Sequence, residues 1–365
     1  MVIISFSIIT SIFILLFLLV YLRVNASKKP IFINLNKNPS KSVHNNSLPV
    51  NIYLSFCNYF HPFSGGVSQE IAEHRVVTWC KEYSKLSKLH IDSSGNHPIH
   101  SFFYSEADYN PRLLDVLYRL HKEKLSDVEI LISHIEEPLD NFKHKIEEFR
   151  DALFHHHGFL RKSAEGSIIY GFATEMKNIY GNKNIARNDA IFRKVSILLE
   201  TGCYADFSLV NKKIHREYLK IINCSLKKSS VSGLSETFSD DSIIKDLRLI
   251  LGPAASSWLN RKWGIFPYLE TGEISAIRNF EPFRINSWLQ NCIKIDTDTT
   301  NLFIKLHTFG GLDQNIRYLL GENGLHQMFT CFEKYCTNNN FVLNYVSAYE
   351  MYAKINTFSL QKPSN

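Results

Sequence analysis

The segment Val128–Glu137 reads Val-Glu-Ile-Leu-Ile-Ser-His-Ile-Glu-Glu, a buried-strand pattern that runs directly into a histidine and two carboxylates. In an α/β protein, polar groups at the C-terminal end of a strand lie where ligands bind. In extended backbone His134 and Glu136 share one face and Glu137 takes the other. His134 and Glu136 can therefore chelate one ion, with Glu137 and His61 as further donors of a rewired site. The alternative is a partly buried, hydrogen-bonded His134, with the glutamates opening the next helix, where acids suit the N-terminal dipole. Zinc takes three or four protein ligands, so His134 with Glu136 alone would hold it weakly.

Other chemistry-bearing residues lie further along. Arg261, Lys262 and Trp263 form a cation–aromatic cluster, with Trp258, Tyr268 and Trp288 near in sequence. Aromatic faces with basic donors suit a sugar or an acidic polysaccharide; an aromatic core edge with snorkelling cations is the alternative. His155-His156-His157 does not read as a metal tract, because consecutive helical residues point about 100° apart. It precedes Gly158, at a helix end where cations are favoured. The seven cysteines (57, 80, 203, 224, 292, 331, 336) are odd in number and lack a CxxC pair. They read as reduced, mostly buried thiols, which leans towards a reducing compartment.

The elements that must position these residues alternate between strand and helix. Strand patterns fall at Asn51–Phe56, Ile99–Phe103, Val128–Ser133, Ile168–Ala173 and Ala205–Phe207, with further runs at Leu247–Leu251, Leu302–Leu306 and Phe341–Val346. Helical spacing links Val76, Trp79, Tyr83 and Leu86, then Leu113, Leu117 and Leu120 behind the Asn110-Pro111 start signal, then Leu139 to Leu153. Helices are also expected over Asp189–Leu199, Leu312–Leu320 and Leu325–Cys336. Repeated βα units predict parallel strands with helices outside, closed as a barrel or open as a doubly wound sheet.

With 365 residues, 45% apolar and 21% charged, the chain can bury a full core. The net charge of +6 is spread thinly, which argues against a nucleic-acid surface. There is no GxGxxG or GKS/GKT phosphate loop. Val2–Leu22 is uncharged and long enough for one spanning helix, read as an uncleaved membrane anchor. The charges that come after it, Arg23, Lys28 and Lys29, favour a cytoplasmic domain; the formal sequons at Asn25 and Asn45 arise readily by chance in an Asn/Ser-rich stretch and are discounted. Residues 23–50 read as a tether, 51–358 as the globular part, and 229–242 as a mobile serine-rich loop.

Several segments together resemble the polysaccharide deacetylase-like family, in a bacterial branch associated with exopolysaccharide. They are Glu200-Thr201-Gly202-Cys203-Tyr204-Ala205-Asp206-Phe207, Phe102-Phe103-Tyr104, Gly252-Pro253, Arg261-Lys262-Trp263-Gly264, Lys305-Leu306-His307-Thr308 and Tyr345–Tyr352. The resemblance implies a distorted (β/α) barrel whose strand ends hold a divalent metal through one Asp and two His. That metal would polarise an N-acetyl carbonyl and activate water, with a late-strand His assisting the leaving amine. It further implies catalytic roles for His307 and Asp206, a barrel-mouth segment at Glu200 to Asp206 with Glu200 and Tyr204 towards substrate, a structural Cys203, and Arg261 and Trp263 on a glycan.

The chain departs from the family where the metal chemistry should sit. An Asp-His pair expected after the first strand is replaced by Cys57-Asn58-Tyr59. The histidine-rich third strand end reads Leu131, Ser133, His134 and Ile135. A His-Gly-Asn-Trp-type turn after the fourth strand becomes Thr174-Glu175-Met176-Lys177. Asn58 cannot act as an anionic ligand or carboxylate base. The expectation is a membrane-anchored, deacetylase-like barrel with a degenerate metal site, holding no cofactor or a weakly held zinc, and binding envelope polysaccharide or oligosaccharide. An active N-deacetylase rewired through His134, Glu136, Asp206 and His307 is the first alternative, and an interaction scaffold without a carbohydrate role is the second.

Overall fold

The computed structural model describes residues 49–133, 139–174, 185–209, 247–253, 255–262, 266–295 and 298–360. In chain order the strands and helices are β1 (Val50–Phe60), α1 (Gln69–Ser87), β2 (His100–Ser105), a 3₁₀ turn (Glu106–Asp108), α2 (Pro111–Lys122) and β3 (Ser126–Leu131). Next come α3 (Leu139–Asp151), which runs into a π turn (Ala152–His156), then β4 (Arg161–Lys162), β5 (Ile168–Ala173), α4 (Ile185–Glu200), β6 (Cys203–Asp206) and β7 (Arg248–Leu249). A hairpin of β8 (Ala255–Lys262) and β9 (Phe266–Glu270) leads to α5 (Phe283–Gln290), β10 (Ile293–Ile295) and β11 (Asp298–Thr308). The chain closes with α6 (Asp313–Ile316), a π turn (Arg317–Gly321), α7 (Gly324–Asn339), β12 (Phe341–Tyr345) and α8 (Ala348–Leu360).

The expected alternation yields a curled, mostly parallel sheet in the order β10-β11-β1-β2-β3-β5-β6-β7. Among the described residues its two ends do not pair, so the sheet is a barrel-like trough. β1 is its spine. β11 pairs along it from Asn51 to Asn58, while its other edge is shared by β12 over Val50–Leu54 and β2 over Phe56–Phe60. Paired on both edges and largely buried on both faces, β1 is mostly apolar, as parallel-sheet strands are, with Asn51, Ser55 and Asn58 as its polar breaks. It extends past the expected Phe56 end, because β2 supplies partners through Phe60.

Side-chain alternation divides the core into two layers. Tyr53, Cys57, Tyr59, Phe103, Leu131, Ala173 and Phe303 fill the concave side, where Val346, Met351 and Ile355 of the C-terminal segment cover them. On the convex side, Trp79 and Tyr83 of α1 pack against His100 at 4.7 Å each. In α2, the Asn110 side chain accepts the Arg112 N–H and Pro111 occupies the first turn, as the sequence predicts. Its buried Leu113, Leu114, Leu117 and Leu120 each stabilise the fold by about 1.5–3 kcal/mol through removal from water.

The trough also holds a buried charge. Glu129 on β3 is fully buried; it accepts hydrogen bonds from Arg161 Nη1 (2.6 Å), the Tyr204 hydroxyl (2.7 Å) and Gly171 N–H (2.5 Å). Arg161 also meets Asp127 at 3.1 Å and lies over the Tyr349 ring at 4.2 Å. Burial pushes the Glu129 carboxyl up, and Arg161 pulls it back.

The single-pass membrane expectation is not supported. Among the described residues no helix is long and apolar enough to cross a membrane, and residues 2–22, on which that expectation rested, lie outside them. Most of the tether and the serine-rich loop at 229–242 also lie outside the described residues.

Arg161→Ala is expected to destabilise the chain by about 3–5 kcal/mol near neutral pH by stranding a buried carboxylate. With the cation gone, burial and Asp127 both hold the Glu129 carboxyl above its ordinary value of 4.5. The raised folded-state pKa makes the loss smallest below about 4.5 and larger as pH rises through the folded value. Urea unfolding of the variant at several pH values checks both size and sign.

Candidate active site at the strand ends

The parallel strands β1, β2, β3, β5, β6 and β11 end on the same side, and the candidate residues of the sequence distribute there unevenly. Asn58, expected to come after the first strand, lies inside β1 and is fully buried. Its Oδ1 accepts the Gly310 N–H (2.7 Å), and its Nδ2 donates to His100 Nε2 (3.0 Å). Gly310 has no room for a side chain, since a Cβ there would sit 2.3–2.7 Å from the Asn58 carboxamide. Its carbonyl accepts Trp79 Nε1–H at 2.8 Å. Asn58 therefore clamps the turn after β11 onto β1, and both ends of its amide are used.

Leu131 is buried in the concave core, which suits its apolar side chain and offers no ligand. Ser133 Oγ lies 3.3 Å from His61 Nε2. His134, Glu136, Glu137, Trp263 and Glu175 to Lys177 lie outside the described residues, as do the side chains of Arg261 and Lys262. The backbone of Arg261 and Lys262 belongs to the β8–β9 hairpin. Trp288, near that cluster in sequence, is buried on α5 and donates to Glu270 at 3.0 Å, alongside the paired Arg284 (2.7 Å).

Asp206 and His307 share one interior neighbour, Lys305. The Lys305 ammonium bonds the Phe207 carbonyl, and burial lowers it to about 8 against the pull of Cys57 and Asp206. Asp206 Oδ1 accepts from Ser208 N–H (2.8 Å) and Ser208 Oγ–H (2.5 Å), and Ser208 Oγ accepts the Thr174 N–H (3.0 Å). His307 packs against the Tyr59 ring at 5.6 Å, and its Nδ1 has no hydrogen-bond partner among the described residues. Burial holds this imidazole well below its usual range, with Lys305, Arg278 and Arg284 adding to the effect. His100, caged by Trp79, Tyr83 and Phe102, is pushed down to about 3 by burial.

Two other expected substrate residues point elsewhere. Glu200 ends α4 and pairs with Lys143 at 3.0 Å on the exposed side, while the Tyr204 hydroxyl belongs to the buried Glu129 network. Cys203 is a buried free thiol that burial keeps protonated. Of the seven cysteines, the six in described residues are all free.

Among the described residues no group of three or more His, Cys, Asp or Glu side chains converges as a metal site. What does converge is a line of polar groups past three adjacent strands. His61 comes directly after β1, Asp108 ends the 3₁₀ turn after β2, and Ser133 lies just beyond β3. His61 Nδ1 is 3.2 Å from Asp108 Oδ2, opposite its contact with Ser133. Sequence reading included His61 only as a spare metal donor and Ser133 only as a lost ligand. The available signal was that each polar residue lies beyond a strand end. Comparison with known protein families finds no match, and a search of curated proteins finds none either.

In a histidine NMR titration, the His100 and His307 rings are expected to keep their shifts from about pH 8 to about pH 5. The unfolded imidazole, near 6.5, takes up a proton that the folded ring refuses. Stability is therefore lost as pH falls below about 6.5, at up to about 1.4 kcal/mol per unit for each ring. A ring that titrates in that window contradicts the burial argument.

Proposed function

We propose that this chain is a polysaccharide deacetylase-like protein, with a distorted (β/α) barrel of that type, that binds or acts on envelope carbohydrate without the family's metal centre. The observation that carries this reading is Asn58. At the strand end where the resemblance calls for an anionic ligand, a buried amide spends its oxygen on Gly310 and its nitrogen on His100. Leu131 supplies no donor, and Ser133 is engaged with His61. The donors among the described residues do not fit a zinc ion held by one Asp and two His, so no step is routed through one.

The retained parts support a binding role. Parallel strands deliver polar groups to one rim, as carbohydrate-acting barrels require. Asp206 and His307 stay on that rim but are committed to internal packing and to Lys305, so they suit a fixed wall better than catalytic acid–base groups.

The full chain, purified without chelators, is expected to carry substoichiometric zinc while still binding an acetylated oligosaccharide in calorimetry. Stoichiometric zinc that disappears in His134→Ala, together with metal-dependent acetate release from N-acetylated oligosaccharides, would instead establish the rewired deacetylase. Absence of glycan binding would favour the scaffold.

A further inference from the structure

We propose that Ser133, His61 and Asp108 form a nucleophilic acyl-transfer site for carboxylic esters at the ends of β3, β1 and β2. This goes beyond the carbohydrate reading and does not depend on it. The constellation has the order that such chemistry needs: hydroxyl, imidazole, carboxylate, with the two partners on opposite ring nitrogens. Ser133 Oγ is 3.3 Å from His61 Nε2, and His61 Nδ1 is 3.2 Å from Asp108 Oδ2. One neutral tautomer suits both contacts, with the proton on Nδ1, the nitrogen beside the carboxylate, and the Nε2 lone pair left for the hydroxyl. Oδ2 is in contact but accepts no well-aligned hydrogen bond, and such contacts tighten when substrate fills an apo site.

The three groups sit on a rigid frame. β1, β2 and β3 are adjacent and in parallel register, which sets the spacing of the residues just beyond their ends. The His61 turn is braced by Ser64 N–H on the His61 carbonyl (3.0 Å) and by Arg75 Nη1 on the Pro62 and Ser64 carbonyls (2.9 and 2.8 Å). Arg75 is itself held by Asp313 through a bidentate pair at 2.7 and 2.8 Å. Gly311 lies so close that a Cβ would meet the His61 carbonyl oxygen at 2.0 Å. The turn bearing Asp108 is fixed by the Tyr104 hydroxyl on its carbonyl (3.1 Å). The His61 and Asp108 side chains are nonetheless 17% and 15% exposed, so the site opens to solvent, unlike the fully enclosed His100.

The reaction balances with water as the only co-reactant. Ser133 Oγ attacks the ester carbonyl carbon as its proton passes to His61 Nε2. The bond to the alkoxy oxygen then breaks, and the alcohol leaves with that proton. Water attacks the acyl-serine, giving a proton to His61. The acyl–Oγ bond breaks, the proton returns to Ser133, and the carboxylic acid departs. Asp108 is a positioning residue that holds the imidazole in the active tautomer.

The test treats the full chain with a fluorophosphonate probe and with p-nitrophenyl acetate. Phosphonylation of Ser133, mapped by peptide mass spectrometry and lost in His61→Gln, is the expected result. Ester turnover should fall by about 10³-fold or more in Ser133→Ala and His61→Gln. In Asp108→Asn, kcat should drop by about 10³–10⁴-fold with KM little changed, which a merely structural role would not produce. No probe on Ser133 of the folded wild-type chain overturns the proposal, and so does ester hydrolysis that survives Ser133→Ala. Labelling of the wild-type chain needs no variant, so a substitution that fails to fold cannot decide the outcome.

Discussion

Gly310 donates its N–H to Asn58 Oδ1 and accepts the indole N–H of Trp79 at its carbonyl, so one glycine ties together β1, the turn after β11 and helix α1. Buried peptide groups must find partners, and here both come from side chains that are themselves buried. The close approach admits no side chain at Gly310. Once the turn is seated, Gly311 presses on the His61 backbone, and Arg75 holds the adjoining loop. The direction in which His61 leaves β1 is set by this chain of contacts, and so is its meeting with Asp108 and Ser133.

The same clamp separates two kinds of histidine. His100 and His307 are enclosed by aromatic rings and held neutral by burial. A neutral buried imidazole is a packing element that can accept one hydrogen bond, as His100 does from Asn58. His61 keeps an opening to solvent and has a carboxylate on one nitrogen and a hydroxyl on the other. On the proposed acyl-transfer reading, chemistry at this rim belongs with the partly exposed ring, while the polar groups around Lys305 and Asp206 are buried in the wall.

Much of the sheet was legible in the sequence because its strands are short apolar runs separated by helical spacing. The Asn110-Pro111 start of α2 and the leucine stripe behind it match the structure closely. The strand lengths were less legible. β1 and β11 each run on through polar residues, because their length is set by partners far away in sequence. The β8–β9 hairpin was not legible, because Ala255–Lys262 mixes serines and charges with isolated apolar residues and lacks a clean two-residue alternation. At the rim, local pattern could flag Asn58 as an odd residue for a metal site, but not that its amide is consumed internally. The Ser133–His61–Asp108 arrangement shows in the sequence only as polar residues near strand ends, because the sheet order alone brings those three segments together.

The strand-end position held by Asn58 is thus a structural clamp, and on the proposed reading it stands where a metal ligand would. Diffraction at the zinc absorption edge, from crystals of this chain grown with zinc, probes that substitution at the atoms concerned. No anomalous peak is expected within coordinating distance of Asn58, Asp206 or His307, and the Asn58 carboxamide should still join Gly310 to His100. A fully occupied peak ligated by Asp206 and His307, with the Asn58 side chain turned towards it, would mean that the metal centre persists and the clamp does not.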